Sequence, residues 1–558
     1  MNAKPWLPYY PTEVAPSYDY PKQNLAQFLI SSAGQYPNRP AMYFMGKTIR
    51  YKKLLESAYR MANALKSRGL KKGDRVAIML PNCPQVVIAY YGTLLAGGIV
   101  VMTNPLYVER ELAYQLQDSG AKIMITLDQF YSKVQNVAEE TRLEHTIVTA
   151  IPDYLPFFKK ILYPFVAKKQ GPLPQIEYSR TVHSFTALLA SADDAPCCEK
   201  VNADHDLALL QYTGGTTGVP KGVMLTHTNL IANTIQSANW CYQVENGKER
   251  YLAVLPCFHV FGLTTLLSQG VYRAGMLILI PKFDLNSLLK IIDKKKPTLF
   301  PGAPTMYIAL INHPKIKEYD LSSINACISG SSGLPLEVQD RFEELTKGKL
   351  IEGYGLTEAS PVTHVNPIWG RRKIGTIGIP VPDTEAKVVN PVTGEDVLPG
   401  EAGELIVKGP QVMKGYWNRP EETFDTIRNG WLFTGDMATM DEEGYFSIID
   451  RKKDMIIASG FNIYPREIEE VLYEHPAVKE AVVIGIKDAY RGETVKAYIV
   501  LKDGKTPDPK DIEMFCRSQL AAYKVPRHYV FRESLPKTLV GKVLRRKLLE
   551  EEEETPAG

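Results

Sequence analysis

Short apolar runs alternate with longer amphipathic stretches from the N-terminus to about residue 384, and that alternation limits the fold more than any other feature of the chain. The runs at 75–80, 122–126, 146–149, 207–212 and 276–281 have the length of strands, and the stretches between them the length of crossover helices. The pattern predicts parallel α/β layers. From about 384 the texture changes to short strands with closely spaced turns, at 386–389, 403–407 and 444–449, which predicts a small β-rich subdomain. After Asp450 another unit begins. Residues 466–474 read as a helix with Ile468, Val471 and Leu472 on one face, 480–485 and 495–501 as strands, and 508–520 as a second helix. With 558 residues the chain is too long for one ordinary core. The expected fold is α/β: a large N-terminal domain over 1–450, its β-rich part at about 384–450, hinged to a small, mobile α+β C-terminal domain over 451–558. The charged run Arg451-Lys452-Lys453-Asp454 is polar enough to stay solvated and is the expected joint.

Apolar residues make up 45% of the chain and charged ones 23%, a globular, soluble composition. A net charge of +3 gives no general case for nucleic acid as a partner. The seven cysteines are an odd count without metal-ligand spacing, and Cys197 and Cys198 are adjacent, so a reducing cytoplasm fits best. The first residues lack the regions of a signal peptide. The longest apolar stretch, 86–102, contains Gly92, Gly97 and Gly98 and falls short of a span of about 20 residues; it reads as a buried helix followed by a strand. The glutamates at 550–554 read as a solvated tail.

The chemistry begins at Tyr212-Thr213-Gly214-Gly215-Thr216-Thr217-Gly218-Val219-Pro220-Lys221-Gly222, directly after an apolar run. Gly214, Gly215 and Gly218 permit positive φ, so several amide N–H groups can point at one anion. Thr213, Thr216 and Thr217 add hydroxyl donors and Lys221 a full positive charge. The string is not a Walker loop, in which Gly-Lys-Ser/Thr opens a helix. A flexible surface turn is the alternative, because Gly, Thr and Pro are common turn residues. Against it stand four further strings in order: Glu352-Gly353-Tyr354-Gly355-Leu356-Thr357-Glu358, Trp431-Leu432-Phe433-Thr434-Gly435-Asp436, Asp450-Arg451-Lys452-Lys453-Asp454 and Pro536-Lys537-Thr538-Leu539-Val540-Gly541-Lys542.

With the loop, these strings resemble the adenylate-forming superfamily of acyl-CoA synthetases, luciferases and adenylation domains over nearly the whole chain. The likeness is nearest to bacterial long-chain fatty-acid CoA ligases. It implies ATP and CoA as co-substrates with Mg²⁺, and a reaction in two halves: a fatty acid becomes an acyl adenylate with release of pyrophosphate, and the acyl group then passes to CoA with release of AMP. By the same resemblance the 213–221 loop cradles the β and γ phosphates, the Tyr354 ring stacks on adenine beside Gly355, and Thr357 contacts the α-phosphate. Glu358, with the Thr213 hydroxyl, offers oxygen ligands to Mg²⁺. Ser331, Ser332 and Gly333 lie where relatives bracket the base, although this chain reads Gly-Ser-Ser-Gly where they have a Gly-Ala-Ala-Pro type turn. Asp436 and Arg451 are the implied ribose contacts, Lys453 the hinge, and Lys542 the catalytic lysine that bridges substrate carboxylate and α-phosphate. Ser459, Gly460 and Phe461 line the implied pantetheine channel.

Phe258-His259 replaces the Phe-Asp of peptide-synthetase relatives, which leaves an amino-acid ammonium without its partner and argues for an acid lacking one. His259 is then either an acyl-pocket residue or a satisfied core histidine. An aryl or medium-chain acid is the alternative substrate, and an acyl or nucleotide sensor the non-enzyme alternative. The segment 154–169 interleaves aromatics with Lys159, Lys160, Lys168 and Lys169, which suits a membrane interface and equally a surface excursion packed on its own protein. Pro156 and Pro164 are expected to limit it to short helices. Peripheral contact at the inner membrane face therefore stays open, and oligomeric state is unassigned.

Overall fold

The computed structural model describes residues 4–167, 175–213, 220–458, 461–488, 491–506, 508–538 and 543–554. Backbone contacts divide it into two compact units. One comprises Trp6–Glu385 with Lys408–Leu432, the other Ala386–Val407 with what is described from Phe433 onward.

The first unit is built on two sheets. In one, Val182–Ser184, His145–Thr149, Ile123–Leu127, Arg75–Met79, Ile99–Met102 and Leu207–Thr213 lie side by side in parallel, and Lys221–Thr226 and Gly415–Tyr416 continue it antiparallel. The runs read as strands are thus strands, and most of their residues are buried, as a parallel sheet with crossover helices on its faces requires. The stretch 86–102 is a helix, Pro84–Leu95, followed by the strand Ile99–Met102. In the other sheet Pro40–Phe44, Met276–Leu279 and Arg250–Ala253 run parallel, and bridges through Leu299 connect them to the parallel pair Ala326–Ser329 and Lys349–Gly355.

The second unit contains the short strands expected from 384 onward together with a C-terminal sheet. That sheet pairs Val478–Asp488 antiparallel with Gly492–Leu501, and His528–Phe531 parallel with the latter. Helix Pro465–Glu474 buries Ile468 and Leu472 against it, and Asp508 caps helix Pro509–Gln519 by accepting from the Lys510 and Asp511 amides. The strands carrying Asp436 and Arg451 group here with the C-terminal elements.

Two local expectations are corrected. Glutamates 550–554 are not a solvated tail but the end of helix Arg545–Glu554, docked by Glu551 to Arg532 at 2.6 Å and by Glu552 to Lys496 at 2.6 Å. Helix Phe157–Ala167 runs through Pro164 instead of stopping before it; the proline removes one interior amide donor without ending the helix. Asp450, just ahead of the charged run, is 4% exposed, and its carboxylate accepts from the Arg451 and Arg466 amides, each at 2.7 Å.

Candidate active site

Thr213 ends one strand and Lys221 opens the next, and the two face each other across an antiparallel pair, with Tyr212 against Gly222. Both arms are braced. The Tyr212 hydroxyl donates to Asp118 at 2.6 Å, the Tyr114 hydroxyl to the Pro220 carbonyl at 3.0 Å, and the Trp417 indole N–H to the Asp118 carbonyl at 3.0 Å. Gly214, Gly215, Thr216, Thr217 and Gly218, the expected phosphate cradle, lie outside the described residues.

Gly415–Tyr416 pairs with the strand that Lys221 opens, Tyr416 against Val223. This registers Tyr416 between two expected site residues. The Lys221 ammonium lies 5.0 Å from the Tyr416 ring centroid, and the Tyr416 hydroxyl donates to Glu358 Oε1 at 2.8 Å. Burial, and after it the Glu358 charge, holds the Tyr416 phenol well above the ordinary tyrosine range, so it remains a proton donor at any working pH. Glu358 sits in the turn Thr357–Ala359, fixed by the Met413 amide donating to its carbonyl at 2.8 Å. Sequence reasoning missed Tyr416. The only local signal was an aromatic pair after a glycine, in Gly415-Tyr416-Trp417.

Ala326–Ser329 and Lys349–Gly355 pair with Ser329 against Glu352, so Ser331-Ser332-Gly333 and Tyr354-Gly355 follow at the same carboxyl edge, Tyr354 there pairing with His364 of the next strand. Such edges are where open α/β sheets bind ligands. Ser331 is exposed and has φ 76. A Cβ at Gly355 would lie 2.0 Å from the Pro361 carbonyl oxygen, so close approach reserves that position for glycine. Tyr354 is half-buried and meets the ring of His364 edge-on at 6.0 Å. His364 is fully buried, and burial pulls its imidazole down to about 3, which keeps it neutral.

His259 precedes helix Val260–Gly262, its Nδ1 accepting from the Phe261 amide at 3.3 Å. The neighbouring Phe258 carbonyl accepts from Gln211 at 3.0 Å, which ties this turn to the strand ahead of the phosphate loop. Phe261 packs where a side chain on Gly330 would otherwise point, 3.0 Å from that Cβ position. The His259 turn therefore adjoins the edge that carries Ser331.

In the second unit Asp436 and Arg451 stand opposite each other on Trp431–Met440 and Phe446–Arg451, with Arg451 Nε 3.7 Å from Asp436 Oδ1. The strand of Asp436 continues to Met440, its pairing resuming after an irregularity at Met437 and Ala438. Lys453 is exposed. Phe461 opens the strand Phe461–Ile463, while Ser459, Gly460 and Lys542 lie outside the described residues. Among the described residues no group of three or more His, Cys, Asp or Glu could hold a metal ion. One carboxylate beside hydroxyls suits Mg²⁺, which binds through one or two carboxylates and otherwise through water and substrate phosphates.

The family described as AMP-binding enzyme matches residues 29–417, and the AMP-binding enzyme C-terminal domain matches 467–542. The chain belongs to the AMP-binding enzyme family. Thr213, Lys221, Glu358 and Tyr416 of this AMP-binding enzyme fall in the first matched segment, and the second ends at Lys542. A long-chain-fatty-acid–CoA ligase of Bacillus subtilis (strain 168) is 54% identical over 557 residues, covering 99% of each chain. One from Escherichia coli O157:H7 is 42% identical, covering 98% of each. The crystal structure of ATP-bound MatB from Rhodopseudomonas palustris is 31% identical with a TM-score of 0.84, covering 95% of this chain and 98% of that one.

Proposed function

We propose that this AMP-binding enzyme is a long-chain fatty-acid CoA ligase. The reading is carried by full-length identity of 54% to a ligase so named, and it accords with the cation, hydroxyl and carboxylate gathered at Lys221, Tyr416 and Glu358. In the first half-reaction a carboxylate oxygen bonds to the α-phosphorus of ATP while the bond to the bridging oxygen breaks and pyrophosphate leaves. Lys221 and the 213–221 loop neutralise the departing phosphates, and Lys542 draws carboxylate and α-phosphate together as charge builds between them. Mg²⁺, brought with ATP, supplies charge neutralisation on the phosphates; Glu358 and the Thr213 hydroxyl would hold it. Asp436 and Arg451 hold the ribose and Tyr354 the adenine, with the Ser331–Gly333 turn at the edge of the base. In the second half-reaction the CoA sulfur bonds to the acyl carbon, AMP leaves and the thiol proton is lost. Rotation at Lys453 exchanges Lys542 for Ser459, Gly460 and Phe461 between the halves.

Contact with membrane is the finer part of the proposal. Phe157, Phe158, Ile161 and Leu162 on helix Phe157–Ala167 are 72%, 79%, 52% and 59% exposed, beside Lys159 and Lys160. Rings and branched chains with adjacent lysines fit an anionic lipid surface, where fatty acids partition. No helix among the described residues is long and apolar enough to cross a membrane.

Release of AMP across a panel of fatty, aromatic and amino acids, with and without CoA, tests the function. Long-chain acids should give AMP with CoA present. ADP as product, or a preference for aromatic acids, would overturn the reading.

A further inference from the structure

Glu404 places a carboxylate in the buried part of strand Gly403–Lys408: it is 5% exposed, beside Leu405, Ile406 and Val407, which are buried as well. A carboxylate taken out of water is costly unless it is paired and hydrogen-bonded. Each oxygen of Glu404 has a donor. Oε1 accepts from the Gly435 amide at 3.2 Å and Oε2 from the Lys452 ammonium at 2.8 Å. The two donors flank the Asp436–Arg451 pair, since Gly435 directly precedes Asp436 and Lys452 directly follows Arg451. One buried side chain thus ties down a neighbour of each residue expected to hold the ribose.

Further bonds converge on the same turn. The Lys452 amide donates to the Gly435 carbonyl at 2.9 Å, which extends the pairing of Asp436 with Arg451 by one step. The Thr434 hydroxyl donates to the Leu405 carbonyl at 2.7 Å and accepts from the Asp436 amide at 3.1 Å. The Lys452 ammonium donates also to the Pro391 carbonyl, at 3.3 Å. Gly435 has φ 72, a conformation that favours glycine, and in it the amide reaches Glu404. The bonds of Thr434 hold the Asp436 side alone, whereas the Glu404 carboxylate joins both sides. Loss of its charge therefore frees Lys452, beside Arg451, while the strand of Asp436 keeps its place. Glu404, Gly435 and Lys452 all precede Lys453 in the chain, so rotation there leaves this clamp intact and the clamp serves both half-reactions.

We infer that Glu404 is a positioning residue for nucleotide recognition: paired with Lys452, it sets the spacing at which Asp436 and Arg451 meet the ribose hydroxyls. The inference rests on the proposed reading that Asp436 and Arg451 hold the ribose. In it Glu404 touches no substrate atom and acts through the two residues that do.

The test uses the full-length enzyme and compares ATP with 2′-deoxy-ATP and 3′-deoxy-ATP, each lacking one ribose hydroxyl, in pyrophosphate release from fatty acid. Glu404→Gln keeps the shape of the side chain and an oxygen for the Gly435 amide but loses the charge that holds Lys452. The KM for ATP should rise about tenfold with kcat within about threefold, as when binding common to ground and transition states is lost. The preference for ATP over the deoxy analogues should shrink by a similar factor of about ten, because a misplaced contact gains little from a hydroxyl it no longer meets. Affinity for AMP, read by calorimetry, should fall in parallel. Lys452→Met alone strands a buried carboxylate and can cost the fold, so the double variant Glu404→Gln with Lys452→Met takes its place; it should be no worse than Glu404→Gln, since the two residues share one contact. Equal losses for ATP and both deoxy analogues, or a further additive loss in the double variant, would overturn the inference by marking Glu404 as structural only. Wild-type KM and preference in Glu404→Gln would overturn it as well. Asp436→Ala separates this result from the reading beneath it. Should that variant leave the preference for ATP intact, the ribose reading fails; should it abolish the preference while Glu404→Gln retains it, only the inference about Glu404 fails.

Discussion

Tyr416→Phe removes a single hydroxyl and leaves the ring beneath Lys221, so it isolates the bond to Glu358 at 2.8 Å. A hydrogen bond to a charged group is worth about 1.5–3 kcal/mol. Glu358 is only half-buried, so water can replace part of the loss and the low end applies. About 1.5 kcal/mol corresponds to roughly a tenfold change in an equilibrium or rate. Adenylation should therefore fall about tenfold, and the Mg²⁺ concentration giving half-maximal pyrophosphate release should rise by a similar factor. Calorimetric titration with Mg²⁺ and ATP should show weaker binding of the pair, independently of turnover. Thioester formation from supplied acyl adenylate should be unchanged, because no triphosphate takes part in it. Tyr416→Leu should go further, losing about 0.5–1 kcal/mol of cation–π attraction to Lys221. A phenylalanine variant with wild-type Mg²⁺ dependence and adenylation rate would refute the reasoning, by showing that Glu358 keeps its place without the hydroxyl.

Lys542→Ala should leave ATP affinity nearly intact and lower adenylation by orders of magnitude, with much less effect on thioester formation from supplied adenylate; equal damage to both halves would show the lysine to be structural. Lys453→Pro should do the reverse, sparing adenylation while CoA transfer falls, since proline fixes φ at the proposed pivot, and full overall turnover in that variant would remove the hinge. Lys159→Glu with Lys160→Glu should abolish low-salt sedimentation with anionic vesicles and leave turnover of a short, water-soluble acid unchanged; unaltered sedimentation would show that these lysines play no part at a lipid surface. Burial holds His364 at about 3 and His227 at about 4, both below the unfolded value of about 6.5. Each then contributes stability that is complete above about pH 6.5 and is lost as pH falls toward its folded value, at up to about 1.4 kcal/mol per pH unit. Urea midpoints should drop from pH 7 to pH 5, and His364→Gln should flatten that slope; an unchanged slope would mean that this imidazole is not held neutral.

The strands at 75–80, 122–126, 146–149, 207–212 and 276–281 were legible because a strand buried on both faces must be a continuous apolar run, whereas Pro40–Phe44, Val182–Ser184 and Arg250–Ala253 in the same sheets gave no such signal. Asp436 and Arg451 were legible as separate residues in separate strings, and the antiparallel register that sets them face to face completes the pair. What escaped the sequence are partners distant in the chain. The burial of Asp450 is not evident until Arg545 and the Arg466 amide are placed beside it. Glutamates 550–554 read as a tail until Arg532 and Lys496 are. Tyr416 is invisible for the same reason. Nothing near it in sequence indicates that a short strand will set it between Lys221 and Glu358.

That position also bears on how the site keeps its charges usable. An ammonium and a carboxylate in direct contact would neutralise each other, and binding a phosphate or a cation would first have to break the pair. Here the Lys221 ammonium rests over an aromatic face and Glu358 accepts from a phenol that stays protonated, so one neutral side chain orients both charges without cancelling either. Arg545 shows the opposite arrangement. Its guanidinium donates to three carboxylates, which suits a cation whose task is to hold elements in register rather than to meet a substrate. The contrast sets different costs for charge-conserving changes. Arg545→Lys keeps the charge and loses the fork, so it should be costly. Lys221→Arg keeps the charge and can still stack on the Tyr416 ring, so phosphate binding should survive it better than it survives Lys221→Met. Pyrophosphate affinity measured for both Lys221 variants decides the matter: equal losses in the two would mean that the shape of the ammonium matters at that position and its charge does not.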